Sequence, residues 1–406
     1  MPILGPRPTL QMSNSIQTLD TIEFAGKRAF VRVDFNVPLK DGVIGDDTRI
    51  RAALPTLEFI LNAGGSVIAA THLGRPKGQV VENLRVGPVA AHLQQLLAGK
   101  AEVITAPAVR GPEVNQLAAD LKPGQILLLD NLRFEAGETK NDPGLAQDLA
   151  QLADVFVQDA FGTCHRAHAS TAGVPALLKP AVPGRLLQRE IEAFQLAFGD
   201  PKRPLVAVVG GAKVSDKILV LQRLIEKVDT ILVGGGMAYT FLKAQGGKIG
   251  SSLCEVDRLE TARQIMAEAI AKGVDLLLPV DHIAADAFSA DANTRMCEGD
   301  LEDGWMGLDI GPKTQQLFSD RLEQAATVVW NGPMGVFEME PFSAGTSKIA
   351  LVLAESDCIS VVGGGDSVAA IVKNGVQDRI SHISTGGGAF LEMLEGKELP
   401  GIAALK

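Results

Sequence analysis

The stretch ISVVGGGDSVAAI, residues 359–371, runs a buried strand, a glycine turn and a helix together in immediate succession. Ile359 to Val362 is short, apolar and β-branched, and Val368 to Val372 restarts with helical character. Gly363 to Ser367 therefore fall on the turn between them. Such a turn presents bare backbone N–H groups at a helix N-terminus, where an anion is favoured. Asp366 has two readings there: a magnesium ion lies between its carboxylate and the phosphates of a nucleotide, or Asp366 or Ser367 caps the helix.

The same succession repeats along the chain. Short apolar runs alternate with helix-period segments, the pattern of βα units around mostly parallel sheets, and the expected class is α/β with two Rossmann-like domains. Strands are expected near Ala29 to Val33, Ser66 to Ala70, Glu102 to Thr105, Ile126 to Leu129 and Val155 to Val157 in the first half. In the second half they are expected near Leu205 to Val209, Thr230 to Val233, Leu276 to Leu278, Thr327 to Trp330, Ile359 to Val362 and His382 to Ser384. Between the halves, Pro180, Pro183 and Gly184 precede a helical pattern that Gly199, Pro201 and Pro204 end. Leu186, Leu187, Ile191, Phe194 and Phe198 give that pattern an apolar face. The expected division is therefore 1–184 for the first domain, 185–200 for a connecting helix and 201–390 for the second domain.

With 406 residues the chain exceeds the size of a single core, and its 46% apolar and 21% charged content is that of a globular protein. A net charge of −10 offers no general attraction for nucleic acid or an anionic membrane, so neither is expected as a partner. The four cysteines, Cys164, Cys254, Cys297 and Cys358, are widely spaced, which suits reduced thiols in a cytoplasmic compartment. The opening MPILGPRPTL has no apolar core segment and reads as a loose tail.

The residues that follow the strands differ between the halves. After second-half strands come GGAKVSDK (210–217), GGGMAY (234–239), NGPMGVFE (331–338), GGGDS (363–367) and TGGGAF (385–390). Glycines at successive strand ends let a flat or phosphorylated ligand approach the backbone. Lys213 and Lys217, four apart, are expected on one face of the following helix near its positive end, an arrangement that calls for an anion. No GxxxxGK[ST] occurs, so this is not a P-loop.

The first-half strand ends are polar and basic: DFN (34–36) with TRIR (48–51), THLGRP (71–76), NLRFE (131–135) and GTCHRAH (162–168). Arg49, Arg75, Arg133 and Arg166 each follow a strand, where a guanidinium can grip phosphate or carboxylate through two bonds. His72, His165 and His168 could assist or be structural. One half is thus suited to a glycine-cradled nucleotide and the other to a small, highly anionic substrate. A nicotinamide oxidoreductase is disfavoured because no GxGxxG follows the first strand of either half. A non-enzymatic anion-binding protein has no use for two dissimilar rims.

Taken in order, VRVDFNVP (31–38), HLGRP (72–76), LRFE (132–135), GTCHRAHAS (162–170), GGAKVSDKI (210–218), WNGPMGVFE (330–338), GGGDS (363–367) and STGGGAFLE (384–392) resemble the phosphoglycerate kinase family closely, from about Asp20 to the C-terminus. The resemblance implies reversible, magnesium-dependent phosphoryl transfer from 1,3-bisphosphoglycerate to ADP, giving 3-phosphoglycerate and ATP, by a monomer with hinge-bending closure. It implies that Asp34, Phe35, Asn36, Arg49, His72, Leu73, Gly74, Arg75, Arg133 and Arg166 bind phosphoglycerate. Nucleotide falls to Lys213, Lys217, Gly234, Gly235, Gly307, Leu308, Asn331, Glu338, Gly364, Gly365, Asp366, Ser367 and Val368, with Asp366 holding magnesium. Arg49, Lys217, Gly387 and Gly388 are the expected catalytic groups, and residues 391–406 are expected to return to the first domain. Ser367 stands where the family commonly has threonine, which keeps the hydroxyl.

Overall fold

The computed structural model describes residues 16–406, and the proline-rich start lies outside them. The chain forms two compact units, one of residues up to Ile191 together with Glu398–Lys406, the other of Glu192–Lys397.

The first unit is built on six parallel strands: β1 (Arg28–Val33), β2 (Ser66–Ala70), β3 (Glu102–Thr105), β4 (Gln125–Leu128), β5 (Val155–Asp159) and β6 (Ala181–Pro183). Their spatial order is β3-β4-β2-β1-β5-β6. Strands β2 and β5 are buried throughout, as expected of parallel strands covered on both faces. The chain starts at the centre, builds one flank and then crosses to the other. This reversal, between β1 and β5, opens a ligand crevice at their carboxyl ends. Phe24, Phe35, Ile50, Leu57 and Leu93 fill one face of the sheet, each fully buried; burial of such a side chain contributes about 1.5–3 kcal/mol.

The second unit repeats the plan. It contains β7 (Leu205–Val209), β8 (Thr230–Val233), β9 (Asp275–Leu277), an antiparallel trio β10 (Asp281–Ala285), β11 (Thr294–Glu298) and β12 (Met306–Ile310), then β13 (Thr327–Asn331), β14 (Ile359–Val362) and β15 (His382–Ile383). The parallel sheet runs β9-β8-β7-β13-β14-β15, and the trio forms its own sheet in the order β11-β10-β12. Its reversal lies between β7 and β13.

Eleven expected strands are present, with ends moved by a residue or two. The trio β10–β12 was not expected, nor was β6, nor the Leu39–Lys40/Val43–Ile44 hairpin. Strand β6 ends in Pro183 and occupies the sheet edge, where a missing N–H is tolerated. Two local expectations are corrected. The Gly365–Lys373 helix begins within the glycine turn, so Asp366 and Ser367 lie in its first turn; its N-cap is Gly364 and it has no side-chain cap. The helix after β7 begins only at Ile218, with Lys217 at its N-cap. Lys213 and Lys217 therefore do not share a helix face. Buried Val214 anchors the intervening turn, and its carbonyl accepts the Lys217 N–H.

The Arg185–Phe198 helix spans most of the expected connecting segment, and the division between units falls inside it. At its start the Arg185 N–H donates to the Thr56 hydroxyl at 2.8 Å and the Leu186 N–H to Asp159 Oδ1 at 3.0 Å. Burial pushes the Asp159 carboxyl up to about 7, against the Thr56 hydroxyl and the Leu187 and Leu186 N–H groups that favour its ionised form. An unfolded aspartate titrates at about 3.9. Between these values the folded state holds the extra proton, so this group's contribution falls as pH rises from about 4 to 7. Asp159→Asn keeps an acceptor oxygen and cannot ionise. Its thermal stability relative to the unsubstituted protein should improve between pH 5 and pH 8; a constant difference in melts at the two pH values would overturn the assignment.

Candidate functional site

At the carboxyl end of β1 the chain turns through Asp34, Phe35 and Asn36. Phe35 is a core residue and reaches the rim only through its N–H, which donates to Thr71 Oγ1 at 2.9 Å. Asn36 Oδ1 accepts the Gly74 N–H at 2.9 Å, joining the rims of β1 and β2. Arg49, in the first turn of the Thr48–Asn62 helix, donates to Asp34 Oδ2 at 3.0 Å and to the Asn36 carbonyl at 3.2 Å. Leu73 is likewise buried, with its N–H on Asn131 Oδ1 at 3.1 Å. Arg133 donates to the Gly74 carbonyl at 2.8 Å. Arg75 and Arg166 are exposed, and Arg166 Nε donates to His165 Nε2 at 3.0 Å.

These cations are close enough to perturb one another. Burial, and then repulsion from Arg32, Arg133 and Arg49, holds the His72 imidazole down at about 2. His168 falls to about 4 through burial and the charges of Arg32, Arg133 and Arg166. The Arg133 guanidinium is itself held below its ordinary value by burial, with Arg32 and Arg166 adding repulsion and Glu138 opposing it. The rim thus gathers Arg49, His72, Arg75, Arg133 and Arg166 around a place where positive charge is in excess, the condition for gripping a multiply charged anion.

Three residues behind this rim escaped the sequence reading. Arg32 is 1% exposed within β1. It donates to Ser170 Oγ at 2.8 Å and lies 3.3 Å from His72 Nδ1. Ser170 in turn donates through N and Oγ to the buried Glu138 carboxylate, at 3.0 and 2.6 Å. The signal was present: an arginine inside the apolar run AFVRV needs a buried partner.

In the second unit the carboxyl ends of β7, β13 and β14 meet. Asn331, the last residue of β13, accepts a hydrogen bond from Lys217 Nζ and donates through Nδ2 to the Gly363 carbonyl at 2.8 Å. Burial lowers the Lys217 ammonium pKa, and the carboxylates of Asp216, Asp366 and Glu395 oppose the shift. Ser367 is buried, and its Oγ accepts the Gly332 N–H at 2.6 Å. Its hydroxyl therefore ties two strand ends together and does not cap the helix. Gly364 has φ +97°, a backbone shape that favours glycine. Gly387 opens the Gly387–Leu394 helix, and a Cβ there would lie 3.7 Å from Gly364 Cα and from Gly365 N. The two glycine turns are therefore neighbours, each ending in a helix N-terminus without a side-chain cap. Asp366 is exposed in this first turn, and Lys213 is exposed on the turn after β7.

Four further residues expected at the nucleotide lie on two different kinds of element. Gly234 and Gly235 follow β8, whereas Gly307 and Leu308 lie within β12 and not on a loop. Between β10 and β12 the register passes from Ile283↔Asp309 to Ala284↔Gly307. Leu308 is thus the extra residue of a β-bulge, a device that re-aims side chains beside sites. Glu338 is exposed on the turn after β13, and Val368 is half-buried.

The family model for phosphoglycerate kinase matches residues 19–397. The chain belongs to the phosphoglycerate kinase family. It is 56% identical over 389 residues to the phosphoglycerate kinase of Moorella thermoacetica, covering 96% of this chain and 98% of that protein. It is 54% identical over 391 residues to that of Herpetosiphon aurantiacus, with the same coverage. The solved phosphoglycerate kinase of Coxiella burnetii superposes with a TM-score of 0.89 at 45% identity, over 96% of this chain and 98% of that one. The enzyme from Pyrococcus horikoshii, at 34% identity and the same coverage, gives 0.80. Two doubly wound sheets, one with a cationic rim and one with a glycine rim, are thus the setting for this family's kinase chemistry.

The depressed His72 pKa makes its imidazole neutral throughout the working range. Its ring C2 proton shift in NMR should stay flat from pH 5 to 8.5 in the ligand-free protein; a midpoint near 6.5 would overturn the depression assigned to burial and the surrounding cations.

Proposed function

We propose that the chain transfers the acyl phosphate of 1,3-bisphosphoglycerate to ADP, reversibly, giving 3-phosphoglycerate and ATP. The observation that carries this reading is the contrast between the rims: clustered arginines in excess over carboxylates in one unit, glycine turns with a half-buried lysine in the other. In this reading Asp34, Asn36, Arg49, His72, Arg75, Arg133 and Arg166 bind the phosphoglycerate, with Phe35, Leu73 and Gly74 contributing backbone. Lys213, Lys217, Asn331, Glu338 and the turns at Gly234–Gly235 and Gly364–Val368 hold the nucleotide, with Gly307 and Leu308 beside the base.

Asp366 is the residue we assign to magnesium. Among the described residues no group of three His, Cys, Asp or Glu side chains is arranged for a metal, and a single exposed carboxylate suits an ion whose other ligands are phosphate oxygens and water. Bound there, magnesium would neutralise nucleotide phosphate charge. The chain's own groups do the rest. Arg49 and Lys217 are the groups we assign to the charge of the moving phosphoryl group, and the N–H groups of Gly387 and Gly388 would supply fixed dipoles at a helix start. No general base is needed, because the carboxylate leaving group and the attacking ADP oxygen are both unprotonated near neutral pH. His72, neutral by its surroundings, donates or accepts hydrogen bonds without adding charge.

Monomeric, cytoplasmic operation completes the proposal; the four unpaired cysteines favour a reducing compartment. No helix among the described residues is long and apolar enough to cross a membrane.

The test is ATP-dependent phosphorylation of 3-phosphoglycerate, drawn forward by a coupled dehydrogenase. Arg49→Ala should lose roughly 10²–10³-fold in kcat, the scale of one donor to transition-state charge, while still binding nucleotide. Asp366→Ala should weaken magnesium-nucleotide binding with little change in KM for 3-phosphoglycerate. Wild-type kcat in the first variant, or unchanged nucleotide affinity in the second, would reject the corresponding role. In-line transfer also requires the two ligands to meet, so closure about the Arg185–Phe198 helix belongs to the proposal. The radius of gyration in small-angle scattering should shrink when both substrates are added, and an unchanged value would count against closure.

A further inference from the structure

Behind Gly307 lies a buried polar pair that the reading above leaves unused. Tyr239 sits on the Met237–Ala244 helix, which follows directly from the Gly234–Gly235 turn. His282 sits on β10, opposite Ile310 of β12. They are 4% and 1% exposed. Their rings lie 5.3 Å apart, and Tyr239 Oη is 3.1 Å from His282 Nδ1. Burial drives the phenol pKa up and the imidazole pKa down, so both partners are neutral. Asp281 and the Gly299 backbone oppose the imidazole's downward shift, so the ring lies between Tyr239 and the Gly299 backbone.

A Cβ built on Gly307 would run into the Tyr239 hydroxyl. That hydroxyl is therefore pressed against the Gly307 backbone, whose N–H is held by Ser252 Oγ at 2.9 Å. The next residue is bulged Leu308. One hydrogen bond thus links the helix that follows the Gly234–Gly235 turn to the antiparallel sheet that carries Gly307 and Leu308. The turn is among the groups assigned to the nucleotide, and Gly307 and Leu308 are those assigned to its base.

We propose that Tyr239 and His282 are positioning residues for the nucleotide base, their hydrogen bond fixing the separation between the Gly234–Gly235 turn and the Gly307–Leu308 strand. A role in bulk stability alone fits poorly. Two buried polar side chains joined across separate elements fix a geometry that a pair of phenylalanines of similar shape would leave to packing alone. What the pair supplies is direction and distance between two elements, at the place where a flat ligand would be clamped. This inference rests on the nucleotide reading of the site.

The experiment compares Tyr239→Phe, His282→Phe and the double variant in the full chain. The probes are magnesium-ADP and inorganic tripolyphosphate, which has phosphates and no base. Each single variant should melt within a few degrees of the unsubstituted protein and raise KM for ATP at least threefold. KM for 3-phosphoglycerate and kcat should stay within twofold, and tripolyphosphate inhibition should be unchanged. The double variant should be no worse than the single ones, because both removals break the same bond. ADP affinity and KM for ATP unchanged in both single variants would overturn the proposal. So would equal losses for ADP and tripolyphosphate, since the pair would then act on the phosphates. Asp366→Ala, titrated alongside, separates the two readings. If it loses nucleotide affinity while the pair variants keep theirs, only the pair's role falls; if it also binds as before, the nucleotide reading falls and the inference with it.

Discussion

Mutual repulsion among cations held in one place organises the first unit. Burial, with Arg32, Arg133 and Arg49 around it, strips His72 of its proton, and Arg166 adds to the repulsion on His168 and Arg133 that Glu138 only partly opposes. Such an arrangement costs folding free energy, and the fold tolerates it only by fixing the members firmly. Arg32 is locked by Ser170 and the Val33 carbonyl, and Arg133 by the Gly74 carbonyl. An anion that enters finds donors already in position. Their ordering cost has been met by the protein, so the ligand gains most of the electrostatic return. The Arg49–Asp34 pair is partly exposed. It holds the guanidinium weakly enough to be given up when a better partner arrives.

The second unit meets a similar anionic demand by other means. Backbone replaces side chain: strand ends brought together by the parallel sheet, glycines where a Cβ would intrude, and helix starts without caps. Ser367 and Asn331 serve as cross-braces between β13 and the turn after β14. Lys217 is held by one of those braces, so its charge is fixed to the same frame as the backbone dipoles.

Much of this was legible in the sequence because parallel strands covered on both faces leave nearly continuous apolar runs. Ser66–Ala70, Leu205–Val209 and Thr230–Val233 fall where their residues place them. The antiparallel trio was not legible. Thr294–Glu298 alternates between exposed and half-buried residues and carries little apolar signal, while Asp281 opens its strand with a charge that is in fact buried and bonded to Thr314. The lysines after β7 were placed on a helix because four-residue spacing suits one. Spacing does not reveal that Val214 is drawn into the core and delays the helix to Ile218. Glycine-rich turns and the arginines do follow the strands, because strands of one parallel sheet bring their carboxyl ends to a common edge. Glu138 and Ser170 were invisible, because a buried carboxylate and hydroxyl announce themselves only once Arg32 is seen between them.

The bulge at Leu308 sets the frame of everything that follows it on β12. A pleated strand alternates faces, so an inserted residue changes which side each later neighbour occupies. Asp309 is 2% exposed, its Oδ2 accepting the Gly345 N–H at 2.7 Å, and Ile310 lies in the core of the parallel sheet. Deleting a single residue here would turn the acid toward that apolar core and the isoleucine away from it. Substitutions at 308 can be absorbed by neighbours that shift slightly, but a change in residue number cannot. The strand tolerates variation in chemistry far better than variation in length.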